Sequence, residues 1–372
     1  MSVDRPKIVL DGRLGLQAPR RAAGEYAYRL MTELGFLSRP YDIHIIGDLT
    51  ADPDVLKRMR FIHTVDLLIT PNDWVWEQTA FPQAAKGAAF VHGLSGVLPM
   101  TTRVPKVVTV HDLAEWHRGI DFEEPVPVSQ RPARSYRMSN LRRSVGKAKA
   151  VITFSEDLKT EIGATFDIKD RNQIHVTAPA PTVPIAEPLA SKEQTIVMTA
   201  SRSPGQNLAG MLGAFDQMAD KSWRLTVLAE DREAAEAVQA LASRRGIAER
   251  AEILPAADAD VRTVFQRAQA YLHLPFYEGV SLHVLNAMAS GCPVVGSRNG
   301  WMMELMGDHA PLVDPRSPEQ AAKALRSVLQ DADYRASLTR ENQERIRSLT
   351  WKKTAEQTHQ IYLDLLESRH LL

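Results

Sequence analysis

Short runs of β-branched and aliphatic residues alternate with longer amphipathic stretches, and this alternation constrains the fold more than any other feature. In the first half the runs lie at residues 7–11, 43–46, 67–69, 88–91, 107–110 and 151–154. In the second half they lie at 195–198, 224–228, 251–254, 270–274 and 293–295. Strands that alternate with helices form parallel sheets. Because most runs are apolar at every position, both faces of each sheet should be covered by helices. The pattern predicts an α/β fold.

A proline-rich segment separates the two series of strands. Residues 178–193 contain prolines at positions 179, 181, 184 and 188, which disfavour helix and central strand and indicate an extended linker that could act as a hinge. We predict a Rossmann-like domain over residues 1–180, a second over 193–350, and a C-terminal helix over 351–372 that packs back toward the first domain. Two such doubly wound domains would face each other across a cleft at the carboxyl ends of their strands, where ligands bind.

Charge and cysteine content exclude several classes of protein. The 372 residues include 45 Lys and Arg against 45 Asp and Glu, so no net field attracts a nucleic acid. Cys292 is the single cysteine, which excludes an internal disulfide and a cysteine zinc site and fits a reducing compartment. We see no signal peptide and no run of roughly 18 apolar residues. The sequence therefore predicts a cytoplasmic protein that could sit on a membrane surface without crossing it.

The stretch from 275 to 297 carries the clearest chemical signal. A strand ends at Leu274, a Glu278-Gly279 turn follows, and a helix begins near Ser281. Backbone N–H groups at a helix start attract anions, so this position suits a diphosphate. A glutamate at a helix start is also often only a partner of the helix dipole, and that simpler interpretation stays open for Glu278.

Here the sequence resembles the family-4 retaining glycosyltransferases of the GT-B fold, in the branch with bacterial mannosyltransferases for surface polysaccharides. The matching residues extend over nearly the whole chain. They are Trp76-Glu-Gln78, Phe81-Pro82, His92, Leu98-Pro99, 107–113, 148–155, Asn207-Leu208, Ala214-Phe215, the Glu278 stretch, Gly307-Asp308, 312–315 and Trp351. The resemblance implies a hexosyltransferase that needs no metal and no cofactor and uses a nucleotide-diphosphate sugar, with GDP-mannose as the first guess.

The resemblance also assigns roles to residues of the second half. Glu278 matches the first of two family glutamates and would contact donor sugar hydroxyls, while Asn286 replaces the second, which holds the ribose. Ser201 and Gln206 stand where the family has an Arg and a Lys on the diphosphate. The remaining donor residues in this prediction are Arg202, Gly279, Ser281 and Leu282. Losing two cations should cost several kcal/mol in the transition state unless Arg202 or Arg298 compensates.

In the first half the resemblance points to two positions. Gly24 matches the glycine of a loop that faces the diphosphate, where a residue without Cβ allows close approach. His111 matches the histidine that touches the donor sugar, although a structural pairing with Asp112 would also explain it. Arg13, Arg20 and Arg21 flank the glycine loop and are candidates for binding phosphate or an acidic acceptor.

Residues 131–149 carry seven basic side chains and no acidic one. They are Arg131, Arg134, Arg137, Arg142, Arg143, Lys147 and Lys149. A basic helical face can dock on anionic lipid, and it can equally be an ordinary solvated surface.

Three functions remain open from the sequence. The first is a retaining transferase that moves a hexose to a glycan or lipid-linked acceptor in surface polysaccharide synthesis. The second is a catalytically inactive pseudo-glycosyltransferase that serves as a binding or scaffold subunit, because Ser201, Gln206 and Asn286 all alter the nucleotide site. The third is a nucleotide-sugar epimerase, which shares a similar two-domain fold.

Overall fold

A computed structural model of the protein describes residues 5–70, 73–99, 101–117, 131–189, 191–201, 205–257 and 259–372. The chain divides into two compact units. The first unit comprises Met1–Leu113, Pro127–Pro179 and Thr350–Leu372. The second unit comprises Ala114–Val126 and Ala180–Leu349. These boundaries differ from the predicted ones, because the segment that begins at Ala114 groups with the second unit and the main part of that unit begins at Ala180 rather than at residue 193.

Each unit is built on one parallel sheet. The first sheet has seven strands in the order β3-β2-β1-β4-β5-β6-β7, and the second has six in the order β10-β9-β8-β11-β12-β13. The strands of the first sheet are β1 Lys7–Asp11, β2 Asp42–Asp48, β3 Thr64–Leu68, β4 Phe90–Gly93, β5 Lys106–Thr109, β6 Ala150–Thr153 and β7 Ile174–Val176. Those of the second are β8 Thr195–Ala200, β9 Arg224–Ala229, β10 Ala251–Pro255, β11 Ala270–His273, β12 Val294–Ser297 and β13 Leu312–Val313. The predicted pair of parallel α/β sheets is confirmed.

Helices connect the strands in both units. The first unit contains α1 Arg13–Leu16, α2 Ala22–Phe36, α3 Pro53–Ile62, α4 Asp73–Val75, α5 Phe81–Ala84, α7 Arg131–Lys147, α8 Glu156–Thr165 and α16 Trp351–Glu367. The second contains α6 Ala114–His117, α9 Leu208–Asp216, α10 Arg232–Arg244, α11 Val261–Arg267, α12 Leu282–Ala289, α13 Gly300–Met306, α14 Pro318–Gln330 and α15 Ala332–Ile346. One π-turn, Trp76–Ala80, joins α4 to α5. Short 3₁₀ turns lie at Arg171–Gln173 and Ala248–Arg250.

Most of these helices start at a short polar side chain that accepts a hydrogen bond from a first-turn amide, as expected for N-caps. The capping residues are Asp52, Ser155, Asn207, Asp231, Asp260, Asn299, Ser317, Asp331 and Thr350. The helix α12 differs from these. Within the described part of the chain, the hydroxyl of its N-cap residue Ser281 accepts no hydrogen bond from a first-turn amide.

The last helix, α16, packs into the first unit through buried aromatic and histidine side chains. Tyr362 is completely buried, and its hydroxyl lies 2.5 Å from Nδ1 of His92. The hydroxyl of Thr109, on β5, lies 2.8 Å from the other ring nitrogen of His92. Burial lowers the pKa of His92 to about 3, so the ring is neutral. These contacts fix the C-terminal helix against the sheet.

The proline-rich segment is extended, as its composition predicts, but much of it is bound to the second unit. The amide of Ala186 donates to the Ala289 carbonyl at 2.9 Å, and the ammonium of Lys192 donates to the Ala268 and Gly291 carbonyls at 3.0 and 2.7 Å. Residues 178–193 are therefore not a free linker along their whole length.

Two short strands and one helix break escaped the sequence analysis. The strands β7 and β13 contain three and two residues, too few to give a periodic signal. Residues 318–346 form two helices rather than one continuous helix, because Asp331 ends α14 and caps α15. No helix in the described part of the chain is long and apolar enough to cross a membrane.

Candidate functional site

The second sheet has a topological switch point between β8 and β11. From β8 the chain builds outward on one side through β9 and β10, and then returns to add β11, β12 and β13 on the other side. In open α/β sheets, ligands bind beyond the carboxyl ends of the strands at such a point. Ser201 follows β8 and Glu278 follows β11, so the fold brings these two predicted site segments to the same edge.

Backbone and side-chain hydrogen bonds hold the loops at this edge together. The Phe276 amide donates to the Gly205 carbonyl at 2.7 Å, and Gly205 has a φ of +83°, which favours glycine. The amide group of Asn207 donates to the carbonyls of Leu274 and Pro315 at 2.8 and 2.7 Å. The loops that follow β8, β11 and β13 are thereby tied to one another.

Glu278 lies at the end of a chain of hydrogen-bonded side chains. Its carboxylate oxygen Oε2 is 2.5 Å from Nε2 of His273, and its side chain is 31% exposed. The other ring nitrogen, Nδ1 of His273, is 3.0 Å from the hydroxyl of Tyr271, which lies 2.8 Å from the hydroxyl of Thr199 on β8. His273 is 1% exposed, and Tyr271 is fully buried. The Thr199 end of this hydrogen-bonded series lies in the core, and the Glu278 end reaches the edge formed by the carboxyl ends of the strands.

The apolar run at residues 270–274 predicts a strand and indicates no role for His273. One signal was available, because the strand places Tyr271 and His273 on the same face and a buried histidine requires polar partners. The partner on β8 could be found only from the pairing of β8 with β11.

The start of α12 offers backbone donors to an anion. Ser281 is 3% exposed, and the first turn of the helix contains no acidic residue. The first amides of a helix have no intrahelical acceptor, and the helix dipole adds partial positive charge there. Gly279, Ser281 and Leu282, which the sequence analysis assigned to diphosphate binding, all lie at or just before this helix start.

The side chains of Ser201 and Gln206 contact each other. The Ser201 hydroxyl donates to the side-chain carbonyl oxygen of Gln206, and Ser201 is 7% exposed. Two neutral side chains thus pair where the family resemblance has two cations. Arg202, the predicted replacement cation, lies outside the described residues.

Asn286, the predicted ribose contact, is buried and bound to Thr182. Its carbonyl oxygen accepts from the Thr182 amide at 2.7 Å, and its NH₂ group donates to the Thr182 hydroxyl at 2.9 Å. A ribose contact stays a prediction, and it would require the Asn286 amide to exchange Thr182 for the ligand or to add a further bond.

A short helix of the second unit packs beside Glu278. His117, the last residue of α6, stacks on Tyr277 with 4.0 Å between ring centroids and 22° between planes. Since Tyr277 immediately precedes Glu278, this stacking helps to fix the backbone of the loop that carries the carboxylate.

In the first unit, His111 lies just beyond β5. Its Nε2 is 2.7 Å from the Leu94 carbonyl, and its ring meets Tyr26 and Phe154 edge-on at centroid distances of 5.4 and 5.0 Å. Burial lowers its pKa, which keeps the ring neutral. Because a carbonyl can only accept, Nε2 carries the proton and Nδ1 is the acceptor of the ring. The protein therefore fixes one tautomer of His111.

The resemblance led us to expect Gly24 in a loop. In the structure it is instead the third residue of α2. The two alanines before it favour helix and let α2 begin earlier. A Cβ built on Gly24 would lie 2.6 Å from the carbonyl oxygen of Leu14, which belongs to α1. The close contact that requires glycine here is thus with the protein's own backbone.

Two of the three candidate arginines are held in internal ion pairs. Arg13 bonds Asp11 at 3.0 Å and lies over the Trp76 ring at 4.5 Å. Arg20 bonds Glu25 at 2.9 Å. Arg21, the N-cap residue of α2, is exposed, and its contact with phosphate or an acidic acceptor stays a prediction.

The basic stretch forms α7 and the residues just after it. Glu77 anchors the inner face of this helix, since it accepts hydrogen bonds from the Tyr136 hydroxyl and, at 2.7 Å, from Asn140. Most of the basic side chains face outward. Those that are exposed are Arg131, Arg137, Arg142, Arg143, Lys147 and Lys149.

Asp260, Asp331 and Cys292 have structural rather than ligand-binding surroundings. Asp260 and Asp331 are helix N-caps. Across the described ranges, no group of three or more His, Cys, Asp and Glu is placed to hold a metal ion. Cys292 is buried, and burial raises the pKa of its thiol to about 12, so the thiolate is not formed at neutral pH.

Comparison with known proteins finds a family model and several relatives that resemble this chain. Residues 182–345 match the family model described as glycosyl transferases group 1. O-antigen chain mannosyltransferase B of Escherichia coli is 29% identical over 105 residues, which are 28% of this chain and 28% of that protein. Alpha-maltose-1-phosphate synthase of Mycolicibacterium smegmatis is 28% identical over 319 residues, which are 75% of this chain and 79% of that protein.

A solved structure extends the likeness in fold to nearly the whole chain. Anabaena HepE, determined in complex with UDP-glucose, superposes with a TM-score of 0.73 at 15% identity, covering 97% of this chain and 100% of that one. The two parallel-sheet domains therefore have the GT-B fold that the sequence predicts. The match to the glycosyl transferases group 1 model lies within the second unit.

Proposed function

We propose that the protein is a retaining glycosyltransferase of the family-4 type, which moves a hexose from a nucleotide-diphosphate sugar to a glycan or lipid-linked acceptor. The observation that carries the proposal is the position of Glu278. Its carboxylate lies at the switch point of the group 1 domain, beside the start of α12, and is held there by His273.

Each side of this edge suits one part of the donor. Glu278 would accept hydrogen bonds from hydroxyls of the sugar, and the amides around Ser281 and Leu282 would bind the diphosphate. For His111, a contact with the sugar through the acceptor Nδ1 stays a prediction. Predicted helpers at the diphosphate are Gly279 and Arg202, while Asn286 would meet the ribose.

The proposed reaction needs no base from the protein. The bond between the anomeric carbon and the diphosphate oxygen breaks, and the new bond to the acceptor oxygen forms on the same face of the sugar. The acceptor proton passes to the departing diphosphate. The protein's contribution would be to orient the sugar and to stabilise the negative charge that develops on the phosphate.

GDP-mannose remains the first donor to test, and UDP-glucose is the second. One relative is named an O-antigen chain mannosyltransferase, and the HepE structure contains UDP-glucose. The aligned region spans only 28% of that mannosyltransferase, so the donor is a proposal for this chain.

We further propose that the acceptor is met at the inner face of a membrane, where the exposed basic side chains of α7 would bind anionic lipid. A vesicle-binding assay tests this part separately. Vesicles with anionic lipid should retain the protein at low salt, and reversing three charges with Arg137→Glu, Arg142→Glu and Arg143→Glu should release it.

A second candidate function is a pseudo-glycosyltransferase that acts as a binding or scaffold subunit. It is favoured by the bond between Ser201 and Gln206 and by the bonds between Asn286 and Thr182. These four side chains satisfy one another in the region where a nucleotide would require cations and free donors.

Release of nucleoside diphosphate separates the two candidates. The protein would be incubated with GDP-mannose, UDP-glucose, ADP-glucose and dTDP-glucose, each with and without a membrane extract as acceptor source. Acceptor-dependent release from one donor, absent in Glu278→Gln, supports the transferase. No release from any donor supports the scaffold.

A further inference from the structure

We propose that His273 is a positioning residue for Glu278, and that Tyr271 and Thr199 set the tautomer in which it acts. This inference rests on the proposed function, because it assigns to Glu278 the recognition of the donor sugar. It goes further by naming three buried residues, none of which contacts the ligand, as the support that orients the carboxylate.

The geometry shows an unbroken line of contacts. It runs from the Thr199 hydroxyl to the Tyr271 hydroxyl at 2.8 Å, from there to Nδ1 of His273 at 3.0 Å, and from Nε2 of His273 to Oε2 of Glu278 at 2.5 Å. The first three residues are at most 4% exposed, so water does not compete for these bonds. The Glu278 side chain is 31% exposed and emerges at the binding edge.

Burial sets the protonation state of the Tyr271 phenol. The pKa of Tyr271 is raised well above its usual range by burial, so the phenol keeps its proton. When Thr199 donates to Tyr271 and Tyr271 donates to Nδ1, the histidine carries its proton on Nε2 and donates to the carboxylate. This arrangement gives each hydroxyl and each ring nitrogen a hydrogen-bond partner.

The functional consequence concerns the direction of the carboxylate. Because Oε2 accepts from His273, the carboxyl plane is fixed by a buried ring that stacks on Tyr271 with centroids 5.4 Å apart. The second oxygen, Oε1, is then the one that receives a sugar hydroxyl. An oriented acceptor loses less entropy when the donor binds than a freely rotating one.

Paired substitutions distinguish positioning from general structural support. His273→Gln keeps an N–H donor close to the position of Nε2, whereas His273→Leu removes it at similar volume. We expect His273→Leu to lower kcat with the best donor roughly 30-fold and His273→Gln to lower it less than about fivefold. The affinity for the free nucleoside diphosphate should stay within about twofold in both variants, since that ligand has no sugar.

Tyr271→Phe tests the tautomer without a change of shape. Nitrogen NMR of ¹⁵N-histidine-labelled protein should show the Nε2–H tautomer of His273 in the wild type and a mixture of states in Tyr271→Phe. Glu278→Gln should also shift the His273 Nε2 resonance. The matched control is Tyr334→Phe, which removes a phenol hydroxyl from α15, away from the β8–β11 edge.

The NMR readout needs neither donor nor acceptor, so it can succeed even when the protein proves to be inactive. In that case the proposed function fails and the support of Glu278 stands. The proposal for His273 is overturned when its NMR signals do not respond to Glu278→Gln, or when His273→Gln is no better than His273→Leu in kcat although both variants are folded by circular dichroism.

Discussion

The two sides of the proposed donor site are built differently. On the sugar side, a carboxylate is supported by buried hydrogen-bonded side chains that end at its oxygen. On the nucleotide side, Ser201 bonds Gln206 where the diphosphate is expected, and Asn286 bonds Thr182 where the ribose is expected. The first arrangement directs a polar group outward to a ligand, whereas the second satisfies polar groups within the protein. Whether the site is active or inactive is therefore a question about its nucleotide side.

The largest effect is expected on the sugar side. Glu278→Gln keeps the size of the side chain but removes its charge, so it should lower transfer by roughly 100-fold or more. Single-turnover rates with the best donor measure this loss. Glu252→Gln, an exposed position on β10, is the control and should be unaffected. Equal rates in the wild type and Glu278→Gln would show that the supported carboxylate is not part of the chemistry.

The next largest effect is expected on nucleotide affinity, when the neutral Ser201–Gln206 pair is changed. Ser201→Arg combined with Gln206→Lys restores the two cations of the family pattern and breaks the neutral pair. The double variant should bind a nucleoside diphosphate about tenfold more tightly, because each charge-assisted bond adds affinity. Titration calorimetry measures it.

The control for that experiment is Ser201→Ala with Gln206→Ala, which breaks the same bond without adding charge. A double variant that abolishes transfer would mean that the natural neutral pair fits a different donor geometry. Creation of binding where the wild type shows none would mean that the natural site has lost its nucleotide.

A pH titration sharpens the contrast further. His283 lies in the first turn of α12, and burial lowers its pKa to about 4, with Glu278 and His273 as the nearby titratable groups. A diphosphate at the helix start would raise this pKa, so proton uptake and nucleotide binding would favour each other. Affinity should therefore rise about two- to threefold as the pH falls from roughly 7 to 5.

The reference for the pH titration is His283→Gln, in which the rise should vanish. A pH-independent affinity in the wild type would place the diphosphate elsewhere than at α12.

The smallest effect concerns the contact of the extended segment with α12. Thr182→Val removes the hydroxyl that bonds Asn286 and should lower the free energy of unfolding by about 1 kcal/mol. Urea denaturation measures this loss. If Asn286 also serves the ribose, the same change should alter nucleotide affinity, and an unaltered affinity would leave Asn286 with a structural role.

Local signals were sufficient for much of this description, and long-range contacts account for the rest. Apolar runs predicted the main strands, and the turn at Glu278 predicted the start of α12, since both depend on neighbouring residues. The partners of Asn286 and Tyr271 could not be predicted in this way. Thr182 is 104 positions from Asn286, and Thr199 meets Tyr271 only because β8 pairs with β11. The close contact of Gly24 with the Leu14 carbonyl in α1 is likewise not visible from neighbouring residues.

The second unit is proposed to hold a nucleotide-sugar donor, and binding of free nucleotides is the most direct test of that proposal. Purified protein would be titrated calorimetrically with GDP, UDP, ADP and dTDP in the absence of metal. The account predicts that one of them binds at micromolar concentration and the others more weakly, which would also identify the donor base. Failure of all four to bind at millimolar concentration would contradict the account and leave the scaffold function in its place.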